Sequence, residues 1–146
     1  MPLTSPRELK KTLIREGFEV YRTLSDRIVL ADRVRDNLIM DSGVAVGMGE
    51  EYSVHVVLRA QASDFPGEEP SALWERARQL AKGLSARGYT ESDVKSVPIL
   101  DPGDQTKTLD TWYEVGMSRT LGELADLVVE LRFALGFDKT VPGPGR

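Results

Sequence analysis

From Tyr52 to Gln61 the chain alternates without a break: Tyr52, Val54, Val56, Leu58 and Ala60 fall on one side, and Ser53, His55, Val57, Arg59 and Gln61 on the other. A strict period of two is the pattern of a half-buried antiparallel strand, apolar inward and more polar outward. Such a strand has one face that must be covered, and the rest of the chain supplies the cover. Ser5-Pro6-Arg7-Glu8 reads as a helix N-terminus, with a capping serine, proline at the first helical position and glutamate three residues past the cap. Leu9 and Leu13, with Ile14 beside them, give that helix a narrow apolar stripe, and Gly17 stops it. A second helix is expected over about Ser71 to Arg87, where Leu73, Ala77, Leu80, Ala81 and Leu84 recur at helical spacing and Gly88 closes the run. A third opens on Thr120-Leu121-Gly122-Glu123, read as a capping box. Its stripe is Leu124, Val128, Leu131 and Leu135, widened by Leu121 and Leu127.

Further strands surround the central one. Phe18–Thr23 and Arg27–Ala31 are joined by a turn at Ser25-Asp26. Leu38–Met40 and Val44–Met48 are apolar pieces separated by Asp41-Ser42-Gly43, which suits either a tight turn between two strands or a bulge within one. Asp93–Leu100 contains Pro98, which places it at a sheet edge. Thr106–Met117 puts Leu109, Thr111, Tyr113, Val115 and Met117 on one face and Asp110, Trp112, Glu114 and Gly116 on the other. Short turns between successive strands imply antiparallel pairing. The expected fold class is α+β: one twisted antiparallel sheet with helices packed on one face, in the order α-β(3-5)-α-β-β-α. The length, 146 residues, fits one such domain over residues 1–137. Residues 138–146, ending in a Pro/Gly-rich stretch, read as a flexible tail.

Composition narrows the chemistry. With no cysteine and one histidine, the chain has no disulfide framework, thiolate nucleophile or iron–sulfur site, and no multi-histidine metal centre of its own. The net charge is −4, which argues against nucleic acid as a partner. The charge is uneven: residues 1–40 carry eight Lys or Arg against six Asp or Glu, and residues 41–146 carry eleven against seventeen. No apolar run is long enough to span a bilayer, and Met1–Pro6 lacks a signal-peptide core. Membrane contact is therefore not expected, and a cytoplasmic location is.

No run of residues spells a catalytic or metal-binding motif. The glycines from Gly43 to Gly49 are followed by Glu50-Glu51 and a strand. A phosphate cradle would need a helix N-terminus there, so these read as bulge and turn glycines. Asp101–Thr108 lacks the ligand spacing of a calcium loop and the Gly-Lys order of a nucleotide loop, so it reads as a hairpin turn. The pairs Glu50-Glu51 and Glu68-Glu69 read as solvated loop charges. His55 has no orienting partner that the sequence names. Trp112 stands out because alternation places it with Asp110 and Glu114, off the apolar face, where a large aromatic marks either a contact surface or a residue covered by a loop or a terminal segment. If the two strands are near each other, His55, Val57 and Arg59 share that face. These five residues (Trp112, Glu114, His55, Val57 and Arg59) are the candidate partner-binding set.

The order helix, strands, helix, two strands, helix over Ser5 to Phe137, with the acidic charge, resembles the type III secretion chaperone-like fold. Secretion chaperones share that fold with a family of small bacterial sensory-transduction regulators. The resemblance implies a homodimer with a non-enzymatic role, holding an extended or partly folded protein against its sheet and helices. On this reading the chain is a bacterial protein-binding module with no cofactor, not an enzyme. Two other readings stay open. One is a small-ligand sensor or minor enzyme whose polar groups are His55 and carboxylates. The other is an immunity-like protein that neutralises a basic toxin by charge.

Overall fold

The computed structural model describes residues 5–36 and 38–144, without the side chains of Val34 and Arg35. The expectations for the first four residues, for Asn37 and for the last two residues fall outside that range. The elements run α1 (Pro6–Arg15), β1 (Val20–Thr23), β2 (Arg27–Arg35), β3 (Leu38–Met48), β4 (Tyr52–Gln61), α2 (Pro70–Ser85), β5 (Thr90–Asp101), β6 (Asp104–Leu121) and α3 (Leu124–Gly136). The strands form an open antiparallel sheet in the order β1-β2-β3-β4-β6-β5. This is the expected α+β class, with four strands before α2 and two after it. Among the described residues, no helix is long and apolar enough to cross a membrane. The chain divides into two compact units, Met1–Val56 with Ser118–Phe137, and Val57–Met117 with Asp138–Arg146.

In the first unit, α1 begins as its sequence dictates. The Ser5 hydroxyl accepts the Glu8 N–H at 3.2 Å, and Pro6 occupies a position whose N–H would have no helical partner. Gly17, at φ +97°, ends the helix in the left-handed conformation that glycine adopts without a Cβ clash. Leu9 and Leu13 are buried, whereas Ile14 is exposed. The apolar pieces from Leu38 to Met48 form one strand with a bulge. Pairing with β2 jumps from Val29↔Ala45 to Ala31↔Asp41, so extra residues stand opposite Leu30. Gly43 takes φ +80° there. The buried Ser42 hydroxyl stitches the bulge, donating to the Leu30 carbonyl at 2.7 Å and accepting the Val44 N–H at 3.1 Å. β3 then pairs with β4 from Val44↔Val56 to Met48↔Tyr52.

The capping box expected at Thr120–Glu123 does not form. β6 continues to Leu121, and Glu123, extended at φ −114° and ψ 140°, precedes α3 without a side-chain cap. The longer strand buries Leu121 and carries Arg119 to within 3.0 Å of the Glu130 carboxylate. Glu130 is itself buried in α3, and a buried carboxylate needs such a cation. Leu127, Val128 and Leu131 face the core as expected, but Leu124 is exposed.

In the second unit, Ala60, Phe65, Leu73 and Val141 form a buried cluster, with Ala62, Leu80 and Tyr113 packed at its margin. Val141 comes from the segment expected to be a flexible tail. The Arg59 N–H donates to the Lys139 carbonyl and the Val141 N–H donates to the Arg59 carbonyl, both at 2.9 Å. These bonds form a short parallel bridge centred on Arg59 and Thr140. β5 lies at the sheet edge, as Pro98 suggested. Trp74 of α2 reaches that edge: its indole N–H donates to the Lys95 carbonyl at 3.2 Å, and its ring meets Tyr113 edge-on at 5.1 Å. Glu68 is not a free loop charge. Arg76 holds both its oxygens, at 2.8 and 2.7 Å.

Candidate functional site

Tyr113 turns toward α2, so the alternation of β6 sends Trp112 and Glu114 to the other face of the second unit. Three strands converge there. The Arg59 guanidinium of β4 lies 4.2 Å from the centre of the Trp112 ring, a cation–π stack. Its Nη2 stands 3.4 Å from a Glu114 oxygen, and Lys95 Nζ of β5 stands 3.9 Å from the other. Glu114 is buried, Arg59 is about one-quarter exposed as a side chain, and Lys95 is more than half exposed. A buried carboxylate therefore anchors two cations, and both cations open toward solvent. Further along, Gly116 leaves room for Asp93: a Cβ there would overlap the Asp93 carboxylate.

A second carboxylate fixes the indole. Asp110 Oδ2 accepts the Trp112 Nε1–H at 3.2 Å and the Ser63 hydroxyl at 2.8 Å, and Oδ1 accepts the Ser63 and Thr111 N–H groups at 2.9 and 2.8 Å. Burial pushes the Asp110 carboxyl up, but the bonds from Ser63, Thr111 and Trp112 together outweigh it and hold it below the usual carboxylate range. The indole is thus held by hydrogen bonds at its edge and by a guanidinium on its face. Such a stack offers apolar surface beside unspent N–H donors, the combination found at binding hot spots.

The five sequence candidates divide. Arg59, Trp112 and Glu114 come together, and Val57, half-buried, precedes Arg59 on the same face of β4. Glu114 serves as a buried anchor rather than an exposed contact. His55 belongs to the first unit. Its Nε2 stands 2.8 Å from Ser53 Oγ, and both atoms lie over Gly47, where a Cβ would overlap them. No partner for His55 was named from the sequence, although Ser53 lies two residues away on the same strand face, which is the signal that could have found it. Lys95 was missed for a different reason. Its approach to Glu114 depends on the register of β5 on β6, which no local pattern encodes.

Among the described residues there is no group of three or more His, Cys, Asp or Glu side chains placed to hold a metal ion. Compared with known proteins, the chain matches no family model, no curated protein and no solved structure.

Proposed function

We propose that this chain is a non-enzymatic protein-binding module, acting in the bacterial cytoplasm as a chaperone or adaptor, that holds an extended segment of another protein against the Arg59–Trp112 stack. The observation that carries the reading is the stack itself: a tryptophan off the core face, fixed at its edge by Asp110 and roofed by a guanidinium that Glu114 anchors. An extended segment suits this surface. Its apolar side chains can lie on the indole and the arginine stem, while its carbonyl or carboxylate oxygens meet Arg59 and Lys95. This is the holding role that the resemblance to the secretion-chaperone-like fold implies.

Affinity capture with three variants tests it. The expected result is a partner retained by wild type and by Leu109→Lys, an exposed substitution off this face. Trp112→Ala should weaken that partner about thirtyfold, the loss of a hot spot worth about 2 kcal/mol. Equal retention by Trp112→Ala would remove the stack from any binding role.

A second reading, as a minor hydrolase, is favoured by one observation, the Ser53–His55 contact. A phosphonate probe for activated serines should label Ser53, and not in His55→Ala, if that reading holds.

A further inference from the structure

Within the second unit, residues 138–144 pass along β4 at Arg59. The Arg59 N–H donates to the Lys139 carbonyl and the Val141 N–H donates to the Arg59 carbonyl, both at 2.9 Å. This parallel bridge between Arg59 and Thr140 is isolated and runs on into no ladder. Pro142, next along, has no N–H with which to extend it. Among the described residues 138–144, Val141 alone buries an apolar side chain. A segment held by an isolated bridge and one apolar anchor opens at less cost than the strands beneath it.

The seat is nevertheless selective. Val141 and Gly143 are buried, whereas Pro142 and Pro144 are exposed. Val141 enters the cluster of Ala60, Phe65 and Leu73. Gly143 runs so close to Asp64 that a Cβ there would stand 2.9 Å from the Asp64 Cβ, and glycine fits where a backbone must approach this closely. The groove therefore recognises three features of an extended segment: main-chain groups opposite Arg59, a valine-sized side chain, and a glycine two residues on.

We infer that residues 138–144 are a built-in occupant of a peptide groove, which they vacate as a unit and which then takes an extended segment of the pattern Val-x-Gly from another protein. The main-chain bonds to Arg59 carry no sequence information, so a second segment makes them equally well, and the Val141 and Gly143 positions supply the selection. Arg59 ties the groove to the face described above, since the residue whose backbone seats the segment also carries the guanidinium stacked on Trp112. The choice of a partner protein as the source of the second segment rests on the binding-module reading.

The test uses the full chain and a fluorescent peptide with the sequence of residues 138–144. Val141→Asp unseats the chain's own segment, because a buried aspartate has no compensating partner in an apolar cluster. This variant should bind the peptide at least about tenfold more tightly than wild type, whose own segment competes at a high effective concentration. A peptide with alanine in place of its glycine should lose most of that binding. In wild type, the Arg59 and Val141 amides should exchange their hydrogens at least about tenfold faster than those of Leu58 and Ala60, which alternation turns to the other edge of β4. Peptide binding no tighter to Val141→Asp than to wild type would overturn the inference, and so would Arg59 and Val141 amides exchanging as slowly as their neighbours. Neither measurement contains a partner, so failure here leaves the capture result for Trp112→Ala standing, and failed capture leaves the groove.

Discussion

Single side chains make two sharp claims. Asp110 bonds Ser63, Thr111 and Trp112 as a carboxylate and sits below its ordinary range. A lowered native pKa means that stability is present above the unfolded value, about 3.9, and is lost as pH falls through the native one. Asp110→Asn should therefore cost about 1 kcal/mol at neutral pH, after allowance for its partial exposure, and the gap to wild type should close below about pH 4. Urea melts at neutral and acid pH measure both effects, and a gap that persists in acid would mean that the charge is not what matters. Ser42 makes the second claim. Its hydroxyl satisfies the Val44 N–H and the Leu30 carbonyl inside the β3 bulge. Ser42→Ala should cost about 1–3 kcal/mol by leaving buried backbone groups unpaired. An unchanged melting midpoint would show that the bulge holds itself. Neither role was legible beforehand: Ser42 was read only as part of a turn or bulge, and Asp110 only as a neighbour of Trp112 by alternation.

The elements themselves were legible wherever periodicity and caps agreed. β4 occupies Tyr52–Gln61 and buries every second residue, because one alternating pattern suffices to define a strand with one wet face. The start of α1 followed from Ser5 and Pro6 for an equally local reason. The start of α3 did not. Thr120–Glu123 has the letters of a cap, but a longer β6 buries Leu121 and gives Glu130 a cation, and those tertiary gains outweigh a cap worth about 1 kcal/mol. The chain end was misleading for a related reason. Its Pro/Gly composition describes an unattached tail, yet Val141 reaches the cluster of Ala60, Phe65 and Leu73. Val141→Ala should lower stability by about 2 kcal/mol, and removing residues 138–146 should lower it further by also breaking the two bonds to Arg59. A truncated chain that melts with wild type would mean that the segment is not part of the folded unit.

At the scale of the whole molecule, sheet class and strand order set what each face can do. Alternation in β4 and β6 was enough to place Trp112 and Arg59 off the apolar face of their strands, so the stack was half legible. What closes it is the approach of Arg59 from β4 and Lys95 from β5 to the Glu114 carboxylate of β6, and that depends on pairing between strands distant in sequence. The proposed function rests on that stack as a surface, and it predicts that Arg59→Ala weakens partner binding in the same direction as Trp112→Ala. Its effect should be smaller, because the indole stays fixed by Asp110. Titration of the captured partner against both variants measures this, and a stronger effect from Arg59→Ala would shift the hot spot from indole to cation.

The most direct measurement places a photo-reactive side chain at Val57, beside Arg59 on β4, and irradiates living cells that make the chain. The account predicts a covalent adduct with a partner protein that disappears when Trp112→Ala is added, while the melting temperature stays within a few degrees of wild type. An adduct of equal yield with and without Trp112, or no adduct at all, would contradict a partner held against this face.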